Sequence, residues 1–354
     1  MVMCMKAERF STRTQKMPLR TPYAVPPETA CRNAGKQAVS ANTKTHHGLT
    51  AGAAVLLALL FLWQPERCSL GALAGLSLCA KAVIPALFPF LCMAPILSEF
   101  LSEVLSRHTG KQNTGNRTAA SALISSFVIG ILTGFPIGAV ALASHCQSGR
   151  LDKKTASRFL GVCTASSPAF LSGYIGKTLF GSAAIGWFLY AEQISVLGLI
   201  FLIQLKNTVN TAGPCAALSS ANRSESHAYT SISAAIRRGA ENMLGLCGAV
   251  VFFSVIRALV CAFCPHFMAS CIGGILEMTG GTLEISKLYE SGILTKQAAI
   301  ILTSGMIGFG GICVGMQTAG CVQNTALSMR EYWVQKVIIG ILCAAVTALS
   351  CLFL

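Results

Sequence analysis

Glu277 stands inside an otherwise apolar stretch, with Thr279, Gly280 and Gly281 directly after it and a second carboxylate, Glu284, seven residues on. An acidic group within a membrane segment costs roughly 2.5 to 3.5 kcal/mol even on insertion scales and marks a solute pathway or a proton relay. Glu277, beside Thr279, is the candidate for holding a coupling proton or cation, or a polar group of a solute. Glu284 reads equally well as a surface residue near Lys287. Gln317, close after Gly308-Phe309-Gly310-Gly311, can donate and accept hydrogen bonds at once; the plainer reading is a polar cap at a helix end. Ser166 and Ser167 offer hydroxyls just before Pro168, and Thr133-Gly134-Phe135-Pro136-Ile137-Gly138 interrupts a further apolar run.

Glycine and proline cut these runs into pieces shorter than the ~20 residues a helix needs to cross a bilayer. Backbone without helical hydrogen bonds is tolerated at membrane depth only where it is buried in protein or lines a watery cavity. The half-helices beginning at Pro136 and Pro168 are expected to present free N–H groups and a positive dipole end, which suits an anionic or hydrogen-bonding ligand. The plainer alternative is that glycine permits close helix packing and proline only kinks. The expected solute site is Gly134, Pro136, Gly138, Ser166, Ser167, Pro168, Glu277, Thr279, Gly280, Gly310, Gly311 and Gln317.

The whole chain must supply a bilayer-compatible frame for these residues. Of its 354 residues 53% are hydrophobic and 11% charged, against about 25% charged in a soluble domain; the class is an all-α integral membrane protein. The net charge of +14 lies mainly in an N-terminal arm and in polar gaps, an arrangement that orients membrane proteins and attracts anionic lipid heads rather than nucleic acid. Residues 1–47 form a basic cytoplasmic arm without helical periodicity, and 48–63 an uncleaved membrane anchor, since Gln64-Pro65-Glu66-Arg67 is a poor cleavage site. Most of the 16 cysteines fall in apolar runs, where they act as small hydrophobes. Cys261 and Cys264 make the single C-x-x-C, which is weak support for a disulfide or metal; no metal and no cofactor is expected.

Leu70 to Ala80 reads as an interfacial approach ending at Lys81, and Val83 to Leu101 as a crossing kinked by Pro85, Pro89 and Pro95. Arg150, Lys153, Lys154 and Arg158 make an outside location unusual for the loop they occupy. The conflict is removed if Ala119 to Cys146 enters the membrane, turns at Gly134 to Gly138 and returns as a re-entrant hairpin. Phe159 to Phe180 then crosses, interrupted at Ser166-Ser167-Pro168, and Trp187 to Leu205 returns. Residues 68–205 make a first repeat, 206–236 a cytoplasmic link, and 237–354 a second repeat. The second repeat holds a crossing from Met243 to Phe263, a hairpin from Phe267 to Glu290, and crossings from Gln297 to Gln317 and from Trp333 to Leu354. About seven crossings and two re-entrant hairpins result. Ser148 to Ala156 matches Ser291 to Ala299 at several positions, and Tyr190, Gln193 and Gly198 recur as Tyr332, Gln335 and Gly340. Starting from opposite sides, the repeats would be inverted.

Several ordered blocks resemble those of the YlbJ-like sporulation integral membrane proteins. They are Thr133-Gly134-Phe135-Pro136-Ile137-Gly138-Ala139, Ser166-Ser167-Pro168-Ala169-Phe170, Gly274 to Gly280, Phe309 to Gln317, and Ile84-Pro85-Ala86-Leu87-Phe88-Pro89-Phe90, where Ala86 replaces the usual serine. The likeness runs from about Leu70 to Leu354. It implies a bacterial plasma membrane, a role in spore development, and kinship with the nucleoside-recognition or Gate domain group, whose wider relatives include nucleoside and ferrous-iron transporters. The family often has a histidine shortly before its final glutamine; Gly315 and Met316 stand there in this chain.

The function expected from these readings is a multi-pass secondary transporter, N-terminus in the cytoplasm, moving a small polar solute (nucleoside-like, anion or ion) with a coupling proton or cation. A homo-oligomer is compatible with it. The alternative is a non-transporting membrane component that recruits partners during sporulation through the arm or the link. No G-x-S-x-G or H-E-x-x-H occurs, and Asp152 is the single aspartate, so no enzyme is expected.

Overall fold

The computed structural model describes residues 55–108, 115–211, 231–323 and 327–352, with Gly52 and Thr325. The arm 1–47, the start of the anchor and residues 212–230 of the link lie outside the described residues. Residues 55–63 form helix α1, which belongs to a unit of its own; all that follows concerns the unit Gln64–Leu354.

Helix α2 (Pro65–Leu78) starts with proline at its first turn, where a missing N–H costs nothing. It runs through a π-helical turn (Cys79–Val83) directly into α3 (Ile84–His108). The expected interfacial approach at Leu70 to Ala80 is therefore not separate: one 29-residue apolar span, Pro65–Met93, passes Lys81 without a break. The wider π-turn contains Lys81, whose carbonyl the Pro85 ring would crowd in a regular α-helix, so the helix passes Pro85 without ending.

The first half continues with α4 (Gly115–Thr133), α5 (Ile137–Gln147), α6 (Lys153–Phe159), an unwound stretch, a second π-helix (Phe170–Leu179) and α7 (Ala183–Thr211). The second half has α8 (Ile232–Cys261), α9 (His266–Leu276), α10 (Met278–Glu290), α11 (Lys296–Phe309), α12 (Gly311–Val322) and α13 (Met329–Cys351). Among the described residues five helices are long and apolar enough to cross a membrane: Pro65–Met93, Ala183–Thr208, Ile232–Cys261, Lys296–Val322 and Met329–Cys351. The protein is a multi-pass membrane protein. Of the seven crossings expected, the anchor is described only as residues 55–63, and Phe159 to Phe180 is not one helix: α6 ends at Phe159, residues 160–167 are non-helical, and the π-helix follows. Lys296–Val322 is the interior rod, 61% buried against at most 39% for the other four spans.

Side-chain caps start the helices that follow turns. Asp152 accepts from Thr155 N at 2.9 Å and opens α6; Thr295 accepts from Ala298 N at 3.2 Å and opens α11. The chain before each cap is folded alike: Arg150 N and Leu151 N donate to His145 O, and Ile293 N and Leu294 N donate to Leu288 O. Gly149 and Gly292 hold φ of +70° and +76° in these turns. The sequence match between Ser148–Ala156 and Ser291–Ala299 is thus a match of backbone geometry.

Helices α4 and α5 lie antiparallel. Ser125 Oγ meets His145 Nε2 at 3.0 Å, and Gly130 and Gly138 face each other so closely that a Cβ on either would collide with the Cys163 carbonyl. Helices α9 and α10 lie antiparallel as well, with the Gly274 backbone against Gly281. Each pair turns at a short non-helical tip, Gly134–Pro136 or Glu277. Helix α7 runs back along the second π-helix and α6, through Gly186 against Gly176 and Phe201 against Phe159. Helix α13 runs back along α11, through Gly340 and Cys343 against Gly308 and Gln297 Nε2 donating to Cys351 O.

Candidate functional site

Four departures from helix converge. At the first tip Gly134 has φ +86° and the Phe135-Pro136 peptide is cis; a Cβ at Gly134 would stand 2.8 Å from Ser167 Cβ, so tip and unwound stretch touch. Residues 164–167 are unwound, and Ser167 Oγ accepts from Phe170 N at 3.2 Å to start the π-helix behind Pro168. At the second tip Glu277 has extended backbone and caps α10, its Oε1 accepting from Thr279 N at 2.8 Å and its Oε2 from Gly280 N at 2.6 Å. Between α11 and α12, Gly310 and Gly311 hold φ of +84° and +81°, a region that costs other residues about 1–2 kcal/mol. A Cβ on Gly311 would lie 3.3 Å from Gly274 O and from Met278 N, so this break meets the second tip.

The convergence forms a partly open cavity of about 30 Å³. Its polar lining is Ser166, Ser167, Glu277, Thr279 and Gln317; its apolar lining includes Phe135, Phe170, Leu246, Val250, Met278 and Val314. A water requires about 10–15 Å³ on this measure, so the chamber has room for roughly two waters or one small ion. Ser166 Oγ is buried in it without a hydrogen-bond partner, while Ser166 N donates to Gln193 Oε1 at 3.3 Å. Gln317 Nε2 lies 3.3 Å from Cys313 Sγ one turn earlier in α12. The start of α12 carries no side-chain cap.

No family model matches the chain, and no solved structure matches it. A sporulation integral membrane protein of Bacillus subtilis strain 168, YlbJ, is 23% identical over 310 residues, covering 76% of this chain and 74% of that protein. The YlbJ-like resemblance holds. The motif blocks noted in the sequence at both tips, before Pro168 and at Gly310-Gly311 are segments that meet here.

Of the residues expected at the site, five supply side chains to the cavity wall: Ser166, Ser167, Glu277, Thr279 and Gln317. Gly134, Pro136, Pro168, Gly280, Gly310 and Gly311 shape or cap the breaks, and Gly138 serves close packing between α4, α5 and the Cys163 carbonyl. The free N–H groups expected behind Pro136 are partly engaged, because Ile137 N donates to Gly134 O at 3.1 Å and Ala139 N to Pro136 O at 3.0 Å. At α10 the donors of Thr279 and Gly280 are held by Glu277 itself. Glu284 is paired, at 2.9 Å with Lys287 Nζ and at 3.6 Å with Arg257; the Arg257 side chain lies over Gly273 and Gly280.

Lys336 was not among the expected residues. It is fully buried in α13, donates from Nζ to Thr164 O at 3.0 Å, and sits 4.9 Å above the Phe135 ring. One ammonium thus ties α13 to the unwound stretch and to the first tip, with its Cε about 3.5 Å from where a Cβ on Gly310 would stand. Its sequence signal was a single lysine inside the apolar run of α13, the kind of signal that singled out Glu277.

Proposed function

We propose that the protein is a secondary transporter, not an enzyme, that carries a small hydrogen-bonding solute through the chamber by alternating access. The observation that carries this reading is the meeting of four non-helical breaks from separate segments around one small cavity, whose largely apolar wall carries the polar side chains of Ser166, Ser167, Glu277, Thr279 and Gln317. Backbone of that kind at membrane depth belongs where a guest or water replaces the missing partners. Ser166 Oγ has no hydrogen-bond partner and the start of α12 has no side-chain cap, and the small chamber suits an ion-sized guest. A nucleoside-sized one enters only when the tips part.

In this reading α4–α5 and α9–α10 are re-entrant hairpins. Support comes from their antiparallel arms and from Arg150, Lys153, Lys154 and Arg158, which favour a cytoplasmic location for the loop between α5 and α6. The two repeats are inverted. Contacts from Ser157 to Ser328 through Thr164 to Lys336 run α13 alongside α6 in the same sense, whereas α13 runs opposite to α11, so the two broken rods point in opposite directions. The bacterial plasma membrane, a cytoplasmic N-terminus and a role in spore development complete the proposal, the last from the name of the B. subtilis relative.

Purified protein in liposomes is the test. It is expected to accumulate at least one member of a panel of inorganic anions, metal cations and nucleosides, and Glu277→Gln is expected to lower that uptake about tenfold or more, because an amide cannot accept from both Thr279 N and Gly280 N and the tip loses its fixed shape. Absence of uptake across the panel by monodisperse wild-type protein overturns the proposal.

A further inference from the structure

A second carboxylate lies outside the chamber, where α7, α11 and α13 meet. Glu192 is on the third turn of α7, about 13 Å along that helix from its start, and is 7% exposed. The Thr347 hydroxyl on α13 donates to its Oε2. Thr347 Oγ1 in turn lies 2.7 Å from Ser304 Oγ on α11. Glu192 Oε1 is buried without a hydrogen-bond partner. Among the described side chains no lysine, arginine or histidine forms an ion pair with Glu192.

The groups around it are known element by element. From α13, Cys343 and Cys351 come within electrostatic reach of Glu192. Lys336 is on the same buried face but eleven residues from Thr347, about 16 Å along the helix, and is engaged with Thr164 and Phe135. Helix α11 contributes Ser304 and the buried Thr303, and its single charged residue is Lys296 at its start. The second π-helix carries Tyr174 and Lys177, α6 carries Lys153, Lys154 and Arg158, and α4 carries Arg117. On α7 itself Tyr190 donates to Ile131 O.

We propose that Glu192 is a proton-binding site at the seam between the two halves, and that its protonation is the ion-coupling step of the transport proposed above, on which this last clause rests. A carboxylate with no cation beside it in an apolar seam is costly unless a positive charge joins it. A divalent cation such as Mg²⁺ needs about six oxygens; here one carboxylate and two hydroxyls are already bonded to one another. A proton needs no space. With Glu192 ionised, Thr347 donates to Oε2 and Ser304 donates to Thr347. When a proton from water arrives on Oε2, that new O–H donates to Thr347 Oγ1, and the Thr347 proton turns to Ser304 Oγ. No bond to a heavy atom breaks, and the site goes from one negative charge to none. Because α7 belongs to one half and α11 and α13 to the other, the neutral and charged forms favour different packing of the halves, which is what coupling requires.

The test reads the proton directly. Full-length protein in liposomes without solute is titrated from acid to alkaline pH by infrared difference spectroscopy of the protonated-carboxyl band. Wild-type protein is expected to lose a buried-carboxyl band that Glu192→Gln lacks and Glu277→Gln keeps, and sodium at fixed pH is expected to leave it unchanged. Thr347→Val, which keeps the carboxyl, is expected to move the band in frequency, so the proposal stays testable even where Glu192→Gln does not fold. A titrating band unaltered in both Glu192→Gln and Thr347→Val, or one displaced by sodium, overturns the site. Should a solute be carried, Glu192→Gln is expected to abolish accumulation driven by a pH gradient while retaining solute exchange at equal pH; loss of all uptake in wild type with the band intact would instead sink the transporter reading alone.

Discussion

The two broken rods solve the same problem in different ways. In the first half the helix is interrupted from residue 160 to 167, and side chains of α7 and α13 stabilise the exposed backbone. Gln335 Oε1 accepts from Gly161 N at 3.0 Å, Gln335 Nε2 donates to Arg158 O at 2.8 Å, Lys336 donates to Thr164 O, and Gln193 accepts from Ser166 N. In the second half the interruption is the single residue Gly310 and relies on glycine conformation there and at Gly311, the first residue of α12, with no side-chain cap. The first break is therefore held across the halves and the second mostly by its own backbone. A wide break needs partners from elsewhere because each buried unpaired peptide group costs about 1–3 kcal/mol.

Three substitutions test that contrast. The largest effect is expected from Gly138→Ala, whose Cβ would overlap the Cys163 carbonyl held between α4 and α5; about 3 kcal/mol of stability should be lost, seen as a large fall in melting temperature in detergent. A small fall would mean that the first tip and the unwound stretch are not locked together. Next comes Gln335→Leu, which leaves Gly161 N and Arg158 O without these partners and should cost about 2–3 kcal/mol, read by the same melting curve and by faster amide exchange over residues 158–164. Exchange unchanged there would show that the first break does not depend on α13. The smallest is Gly310→Ala, where the backbone must stay left-handed but the nearest atoms, on Lys336 and Phe135, stand at 3.5 Å; about 1–2 kcal/mol is expected. A cost equal to that of Gln335→Leu would erase the distinction between the two breaks.

Much of this architecture was legible in the sequence because glycine and proline act locally. The positions of both tips, of the unwound stretch before Pro168 and of the Gly310-Gly311 break follow from residue type, and the turn repeated at Ser148 and Ser291 could be read as a match before its hydrogen bonds were seen. What could not be read was which donor meets which acceptor across distant segments. Glu277 looked free to hold a ligand, but the chain closes so that it caps its own helix. Lys336 and Glu192 stand as single charges in apolar runs, but residue type alone does not say which distant groups they meet. Lys81 suggested a division between an interfacial approach and a crossing, where the chain instead continues through the π-turn as one helix.

The Cys163 carbonyl fits between Gly130 and Gly138 with no room for a methyl group on either. The α4–α5 pair and the unwound stretch are in that respect a single mechanical part: swinging the arms of α4 and α5 would drag the neighbouring backbone along as one lever, not as a latch sliding past a fixed wall.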